Sequence, residues 1–292
     1  MDWPRLPLQD GTLVPVLGFG TGTAWFKNDP NDPANPELIE VLKTALSKGF
    51  VHIDTADAYG TESEVGIAIK ESGIPRDKLF ITTKVMAGWK DVPAALRKSL
   101  ERLQLDYVDL YLLHNPYLIP TTEDLQNAWK GLETVKSAGL ARSIGVSNFQ
   151  RHHLEAVLDI CTVVPAINQI EFHPYLQRDA DYIPWMREKG VEVSSFKTLA
   201  PITVGAGGFL DPVLQSIAET HGVATSTVLL SWAIGRHAVP ITTTSKGERM
   251  DEYLAAVTLK LSTEEEEEIT KVGLQHHFRW WGRKFFGPDD RS

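Results

Sequence analysis

Four polar residues stand at or just beyond the ends of short apolar runs. Asp54 closes Val51-His52-Ile53-Asp54, and Tyr59 follows in the loop Thr55-Ala56-Asp57-Ala58-Tyr59-Gly60. Lys84 ends Leu79-Phe80-Ile81-Thr82-Thr83-Lys84, and His114 ends Val108-Asp109-Leu110-Tyr111-Leu112-Leu113-His114. A phenol beside an ammonium can serve as an acid–base group, because the cation favours phenolate and lowers a pKa normally near ~10. A carboxylate such as Asp54 would hold the lysine charged and oriented, and an imidazole such as His114 can donate a hydrogen bond to a substrate oxygen. Together they suit proton delivery to a carbonyl while a second agent delivers hydride. Singly, each has a plainer explanation: His114 as a hydrogen-bonded core histidine, Lys84 as a surface lysine whose stem lies on apolar neighbours. If the runs are parallel neighbours, all four side chains converge on one rim of a sheet, where α/β proteins place their chemistry.

The elements that must position them follow from the apolar pattern. Short apolar runs alternate with longer amphipathic segments, the pattern of repeated βα units. Strands are predicted at Val16–Gly20, Val51–Asp54, Leu79–Lys84, Val108–Leu113, Ser143–Val146, Ala166–Glu171, Glu192–Ser195 and Val239–Thr242, with helices between them. Eight such strands favour a closed (β/α)8 TIM barrel over an open doubly wound sheet. No Gly-x-Gly-x-x-Gly turn follows the first strand, which argues against a Rossmann dinucleotide site. Leu6–Leu8 and Thr12–Val14 flank Asp10-Gly11, so a β-hairpin is expected before the barrel. Two helices are expected over Asp211–Thr220 and Thr225–Gly235 where one would suffice, and extra C-terminal helices follow the last strand. The run Glu264–Glu268 falls in the first turn of a helix capped by Ser262-Thr263, where negative charge complements the helix dipole. No low-complexity linker interrupts the chain, so residues 1–292 are expected to form a single domain.

Composition narrows the classes of function. Of 292 residues, 42% are hydrophobic and 23% charged, as in an ordinary globular protein with a large core. A formal net charge of −9 argues against nucleic acid or an anionic membrane as partner. The one cysteine, Cys161, excludes an internal disulfide framework and suits a reducing compartment. Met1-Asp2-Trp3-Pro4-Arg5 has no basic-then-apolar signal pattern. No apolar run approaches the ~18 residues of a membrane span. A cytoplasmic protein, monomer or weak homodimer, with a small-molecule substrate is the expectation.

Longer blocks around the four residues resemble the aldo-keto reductase superfamily over essentially the whole length. Gly49-Phe50-Val51-His52-Ile53-Asp54-Thr55-Ala56-Asp57-Ala58-Tyr59-Gly60 is similar to that family's stretch around its catalytic Asp and Tyr, and Leu105–His114 to the stretch carrying its catalytic His. Gly145-Val146-Ser147-Asn148-Phe149 and Asn168-Gln169-Ile170-Glu171-Phe172-His173-Pro174-Tyr175 match two further blocks. The resemblance implies a (β/α)8 barrel that binds NADPH in extended form without a Rossmann motif. It implies Tyr59 as general acid in reduction, Lys84 and Asp54 as its tuners, and His114 as the group positioning the carbonyl. Ser147, Asn148 and Gln169 would hold the nicotinamide carboxamide, and Gly22 and Thr23 would lie against the cofactor. His173 fits a buried structural histidine as well as a catalytic one.

Several positions depart from the family pattern. Phe196 replaces the usual tyrosine that stacks on the nicotinamide; stacking needs a flat ring and no hydroxyl. Lys197-Thr198-Leu199-Ala200 replaces Ser-Pro-Leu-Gly, which leaves Lys197 to meet the pyrophosphate or to face solvent. Gly205, Gly207 and Gly208 make a short loop beside it. After the last strand, Thr243, Thr244 and Ser245 with Lys246 and Arg249 suit an adenosine 2′-phosphate, since charge and hydroxyl donors are both needed there. NADPH is therefore favoured over NADH, with Glu252 placed to meet adenine and Tyr253 standing for the usual asparagine. The stretch Gly20–Asn28 and the Thr-Thr-Thr-Ser-Lys run resemble the fungal branch that reduces α-keto amides, conjugated polyketones and ketopantoyl lactone. Trp25, Trp89, Tyr117 and the tail Phe278-Arg279-Trp280-Trp281 could wall the substrate pocket. Competing readings are a non-catalytic NADPH-binding barrel acting as sensor or regulatory subunit, a Schiff-base aldolase on Lys84, and a metal hydrolase built from Asp54, His114 and His173.

Overall fold

A computed structural model describes residues 3–27, 29, 32–287 and 289–292. The expectations placed on Met1, Asp2 and Asn28 lie outside the described residues. The chain starts with an antiparallel hairpin, β1 (Arg5–Pro7) and β2 (Leu13–Pro15), with Arg5 opposite Pro15. Gly11 adopts φ +84° in its turn, a conformation open to glycine and costly for other residues. Eight parallel strands then close into a barrel: β3 (Gly18–Gly20), β4 (His52–Asp54), β5 (Phe80–Val85), β6 (Val108–Leu113), β7 (Ala141–Ser147), β8 (Ile167–Glu171), β9 (Glu192–Phe196) and β10 (Ala238–Thr242). Closure is made by β10, which pairs with β9 on one side and β3 on the other.

Each predicted strand is present, with ends shifted by at most two residues and Val108–Leu113 unshifted. The first is shorter than Val16–Gly20 because the Val16 N–H donates to Pro4 O at 3.2 Å, so that residue still belongs to the hairpin. Strands β5 and β6 are buried along their whole length, which is why they read as apolar runs without alternation.

Ten α-helices surround the described barrel: α1 (Pro36–Lys48), α2 (Glu62–Ser72), α3 (Val92–Leu103), α4 (Thr122–Ser137), α5 (Arg151–Leu158), α6 (Tyr182–Glu188), α7 (Asp211–His221), α8 (Thr225–Gly235), α9 (Gly247–Ala255) and α10 (Thr263–Leu274). Caps fix several starts. The Asn35 side chain accepts from the N–H groups of Glu37 and Leu38, and Ser262 with Glu265 forms a reciprocal capping box at α10. Helix α8 is buried on nearly every side, packed against α7, α9 and β10, which accounts for the second helix in that repeat.

The core has two parts. A large cluster lies between strands and helices. A smaller one fills the barrel's lumen, where Leu8 and Val14 of the hairpin meet Phe80, Leu110, Leu112, Ile167 and Val239. The hairpin therefore plugs the N-terminal end of the barrel, leaving the C-terminal rim to the site. Among the described residues, no helix is long and apolar enough to cross a membrane.

Candidate active site

Asp54 is the last residue of β4, and Lys84 lies one strand over in β5, where Asp54 pairs with Thr82. Residues two apart share a strand face, so Thr82 and Lys84 point the same way. Lys84 is fully buried. Its Nζ donates to Asp54 Oδ1 at 2.6 Å, to Thr55 O at 2.8 Å and to Tyr59 Oη at 3.4 Å. All three ammonium hydrogens are thus engaged, and an amine kept protonated has no lone pair for Schiff-base chemistry. Tyr59 rides on a single 3-10 turn, Asp57–Tyr59, closed by Gly60 at φ +69°. The Asp57 carboxylate accepts the Met86 N–H at 3.1 Å, which ties this turn to the end of β5. Across the gap, His114 Nε2 lies 3.5 Å from Tyr59 Oη. The His114 N–H donates to Val85 O at 2.9 Å, and its carbonyl accepts from Asn148 Nδ2 at 3.1 Å.

The electrostatics correct one expectation. Burial raises the Tyr59 pKa; Lys84 pulls it down and Asp54 pushes it up, and the net direction is upward. The phenol is not acidified overall in the ligand-free protein, because desolvation penalises phenolate more than the nearby ammonium favours it. Burial also pulls the Lys84 pKa down, but the Asp54 carboxylate and Tyr59 outweigh it, so the ammonium stays charged. Burial, and then Lys84, hold His114 well below the ordinary histidine range, so its ring is neutral. The site at neutral pH is a neutral phenol between a cation and a neutral imidazole.

Asp54, Tyr59 and His114 line one wall of a cleft of about 480 Å³, with Lys84 buried behind them and off the lining. Gly22, Thr23, Phe26, Asp54, Tyr59, Met86 and His114 line it after β3 to β6; Ser147, Asn148, Gln169, Phe196, Lys197 and Leu199 after β7 to β9; Thr242, Thr243, Arg249 and Tyr253 beyond β10. Trp280 and Trp281 of the tail complete the wall. The second group is joined to the first by hydrogen bonds: Gln169 Nε2 donates to Asp54 Oδ2 at 2.9 Å, and Asn148 Nδ2 donates to His114 O at 3.1 Å. A Cβ on Gly22 would stand 3.0 Å from the Tyr59 ring, so a larger residue there would press on that phenol.

Not every expected residue reaches the cleft. Tyr117 lies behind the tail, stacked on Phe285 with centroids 4.4 Å apart, instead of on the substrate side. Trp25 and Trp89 pack against the core and do not line the cleft. Their places in the wall are taken by Phe26 and Met86. Thr244, Ser245, Lys246 and Glu252 also stand off the lining. Thr244 Oγ1 accepts the Lys246 N–H at 3.1 Å, Ser245 and Lys246 are exposed at the start of α9, and the Glu252 carboxylate accepts from Ser226 Oγ at 3.0 Å. Thr243, Arg249 and Tyr253 represent that segment on the cleft itself. His173 is fully buried against Glu171 and does not line the cleft. Among the described residues, no group of His, Cys, Asp and Glu is arranged to hold a metal ion.

The donor set fits an extended nicotinamide cofactor. Half-buried Phe196 offers an aromatic face, Ser147, Asn148 and Gln169 offer a hydroxyl and two amides, and the buried Thr243 hydroxyl has no partner within the protein.

Comparison with known proteins agrees with this geometry. The profile of the Aldo/keto reductase family matches residues 17–273. The chain is 41% identical to the NAD/NADP-dependent indole-3-acetaldehyde reductase of Schizosaccharomyces pombe, covering 92% of this chain and 95% of that one. It is 34% identical to the NADPH-dependent alpha-keto amide reductase of Saccharomyces cerevisiae, over 96% and 94% of the two chains. Among solved structures, a Bombyx mori aldo-keto reductase in complex with NADP matches with a TM-score of 0.81 and 30% identity, covering 93% of each chain.

Proposed function

The chain belongs to the aldo/keto reductase family, and from that premise we propose that it reduces an aldehyde or an α-dicarbonyl-type ketone to the alcohol with NADPH, Tyr59 giving the proton. The observation that carries the reading is the position of Tyr59 Oη on the cleft wall, 3.4 Å from Lys84 Nζ and 3.5 Å from His114 Nε2. The names of the relatives support the substrate class: one acts on an arylacetaldehyde, another on α-keto amides. In both kinds the carbonyl carbon is readily attacked; in the second an adjacent acyl group withdraws electrons from it.

Ser147, Asn148 and Gln169 would hold the nicotinamide carboxamide, with the Phe196 ring against its face and Gly22, Thr23, Lys197 and Leu199 along the remainder. Thr243, Thr244, Ser245, Lys246 and Arg249 would take the adenosine 2′-phosphate at the N-terminus of α9, where the helix dipole adds to their charge. When bound, NADPH supplies the hydride that reaches the carbonyl carbon. The protein's part is the proton. Tyr59 is neutral at physiological pH, since burial moves a pKa already well above it further up, so it holds a proton to give to the carbonyl oxygen. The phenolate left behind is stabilised by the Lys84 ammonium, which Asp54 keeps charged and aimed. Neutral His114, in the tautomer with its proton on Nε2, would donate to the same oxygen and fix the carbonyl's direction.

Tyr59→Phe tests the assignment. Its NADPH affinity is expected to stay near that of the parent, while turnover falls by about 10²–10⁴-fold. Near-normal turnover would remove Tyr59 from the role. A regulatory barrel without catalysis would instead bind NADPH and leave it unoxidised across a panel of aldehydes and 1,2-diketones.

A further inference from the structure

Outside the catalytic quartet, the polar arrangement most in need of explanation surrounds Glu171, the last residue of β8. Its side chain is 1% exposed. Oε1 accepts the N–H of Trp280 at 2.7 Å, Oε2 accepts the N–H of Trp281 at 2.7 Å, and His173 Nε2 lies 3.1 Å from Oε1. A buried carboxylate persists only when donors fill its lone pairs. Two of its three donors are backbone amides of the tail, 109 and 110 residues further along the chain. Burial pushes the Glu171 pKa up, but the hydrogen bond from His173 and the two tail amides outweigh it, so the group is a carboxylate. Burial keeps His173 itself below the ordinary histidine range.

The indoles carried by those two amides are the part of the tail that lines the cleft. Trp281 meets Phe196 edge-on with centroids 6.3 Å apart, and Lys197 Nζ lies 5.1 Å over the Trp280 ring. Other holds on the tail lie on either side: the Phe278 N–H donates to Tyr175 O at 3.2 Å, and Arg279 donates to Asp290 O at 3.1 Å. Nothing else in the barrel grips the backbone at the two tryptophans with comparable donors and acceptors among the described residues.

We propose that Glu171 is a positioning residue for substrate selection: its carboxylate clasps the backbone of Trp280 and Trp281 and so fixes the aromatic wall that limits the group attached to the carbonyl. The inference rests on the carbonyl-reduction reading above. Glu171 does not line the cleft, so it acts through the wall. Because the clasped tail forms no strand of the barrel, loosening it leaves the quartet in place.

The test uses the full chain. In Glu171→Gln the remaining carbonyl oxygen cannot accept both amides as the carboxylate does. Amide hydrogen exchange at Trp280 and Trp281, measured without ligand, is expected to quicken by about tenfold or more. The ratio of kcat/KM for 1-phenyl-1,2-propanedione over methylglyoxal is expected to shift by about tenfold through KM, with kcat for methylglyoxal within about threefold. If Glu171→Gln does not fold, the tail side gives the same test: Trp280→Pro and Trp280→Ala both lack the indole, but only the first lacks the N–H. The proline variant is expected to show faster exchange at Trp281 and a further selectivity shift of about tenfold. Unchanged exchange in Glu171→Gln, unchanged selectivity despite faster exchange, or identical behaviour of the two Trp280 variants would overturn the proposal. Should the parent oxidise NADPH with neither carbonyl, the carbonyl reading fails, while the exchange measurement still judges the clasp separately.

Discussion

At the scale of single residues, the segment after β10 makes a sharp prediction. Arg249 lines the cleft, while Lys246 stands exposed at the first turn of α9. If these two cations recognise the 2′-phosphate, Lys246→Ala with Arg249→Ala should lower the preference for NADPH over NADH by about 10²-fold, two charge-assisted contacts being worth about 1.5 kcal/mol each. Comparing kcat/KM for the two cofactors checks it, and an unchanged preference would place the phosphate site elsewhere. The quartet was legible in sequence because each member ends or follows an apolar run, so its rim position comes with its strand. Met86 carried a readable signal as well, two residues beyond Lys84 and just past the end of its strand. Trp25 and Phe26 could not be told apart from sequence, since both are aromatic and only the path of the loop decides which reaches the cleft. The direction of the Tyr59 shift was not legible either, because the ammonium that lowers it is near in sequence pattern whereas the burial that raises it is a property of the assembled rim.

At the scale of elements, the 3-10 turn Asp57–Tyr59 shows how the proton donor is held. Asp57 anchors it to the Met86 N–H, and burial pushes that carboxyl up to about 6, against which the Met86 hydrogen bond works downward. A folded-state pKa above the unfolded value near ~3.9 means that the fold prefers the protonated form. That stabilisation is complete below about pH 4 and lost as pH rises through about 6. Asp57→Asn keeps an acceptor and never ionises, so its melting temperature should exceed the parent's by about 2–4 °C near pH ~8, after allowance for solvent screening. The gap should close towards about pH 4. A gap that does not depend on pH would show that ionised Asp57 carries no cost. Strand and helix positions were legible from periodicity and caps; the hairpin followed from Asp10-Gly11. The first barrel strand was overextended because Val16 is apolar like its neighbours, and its hydrogen bond to Pro4 is a long-range fact.

At the scale of the whole molecule, β10 pairs with β3, so the last strand closes on the first and links distant parts of the chain. We expect residues 1–292 to unfold as one domain, in a single calorimetric transition. NADPH at about 100 times its Kd should raise the midpoint by about 4 °C, since that excess adds about 2.7 kcal/mol to the folded state. Two transitions, or one unmoved by NADPH, would count against a single cofactor-binding barrel. The arrangement of the tail was least legible in sequence: Tyr117 packs behind it on Phe285, whereas Trp280 and Trp281 line the cleft, their backbone amides held by a carboxylate more than a hundred residues upstream.

The hairpin stopper formed by Leu8 and Val14 covers the N-terminal end of the described barrel and leaves the cleft to the opposite rim. If reactant and coenzyme share that cleft as proposed, whichever seats deeper is expected to arrive before the other and depart after it. On that reading traffic would be a stack, last in and first out, and a slow-leaving coenzyme would set the pace of every cycle.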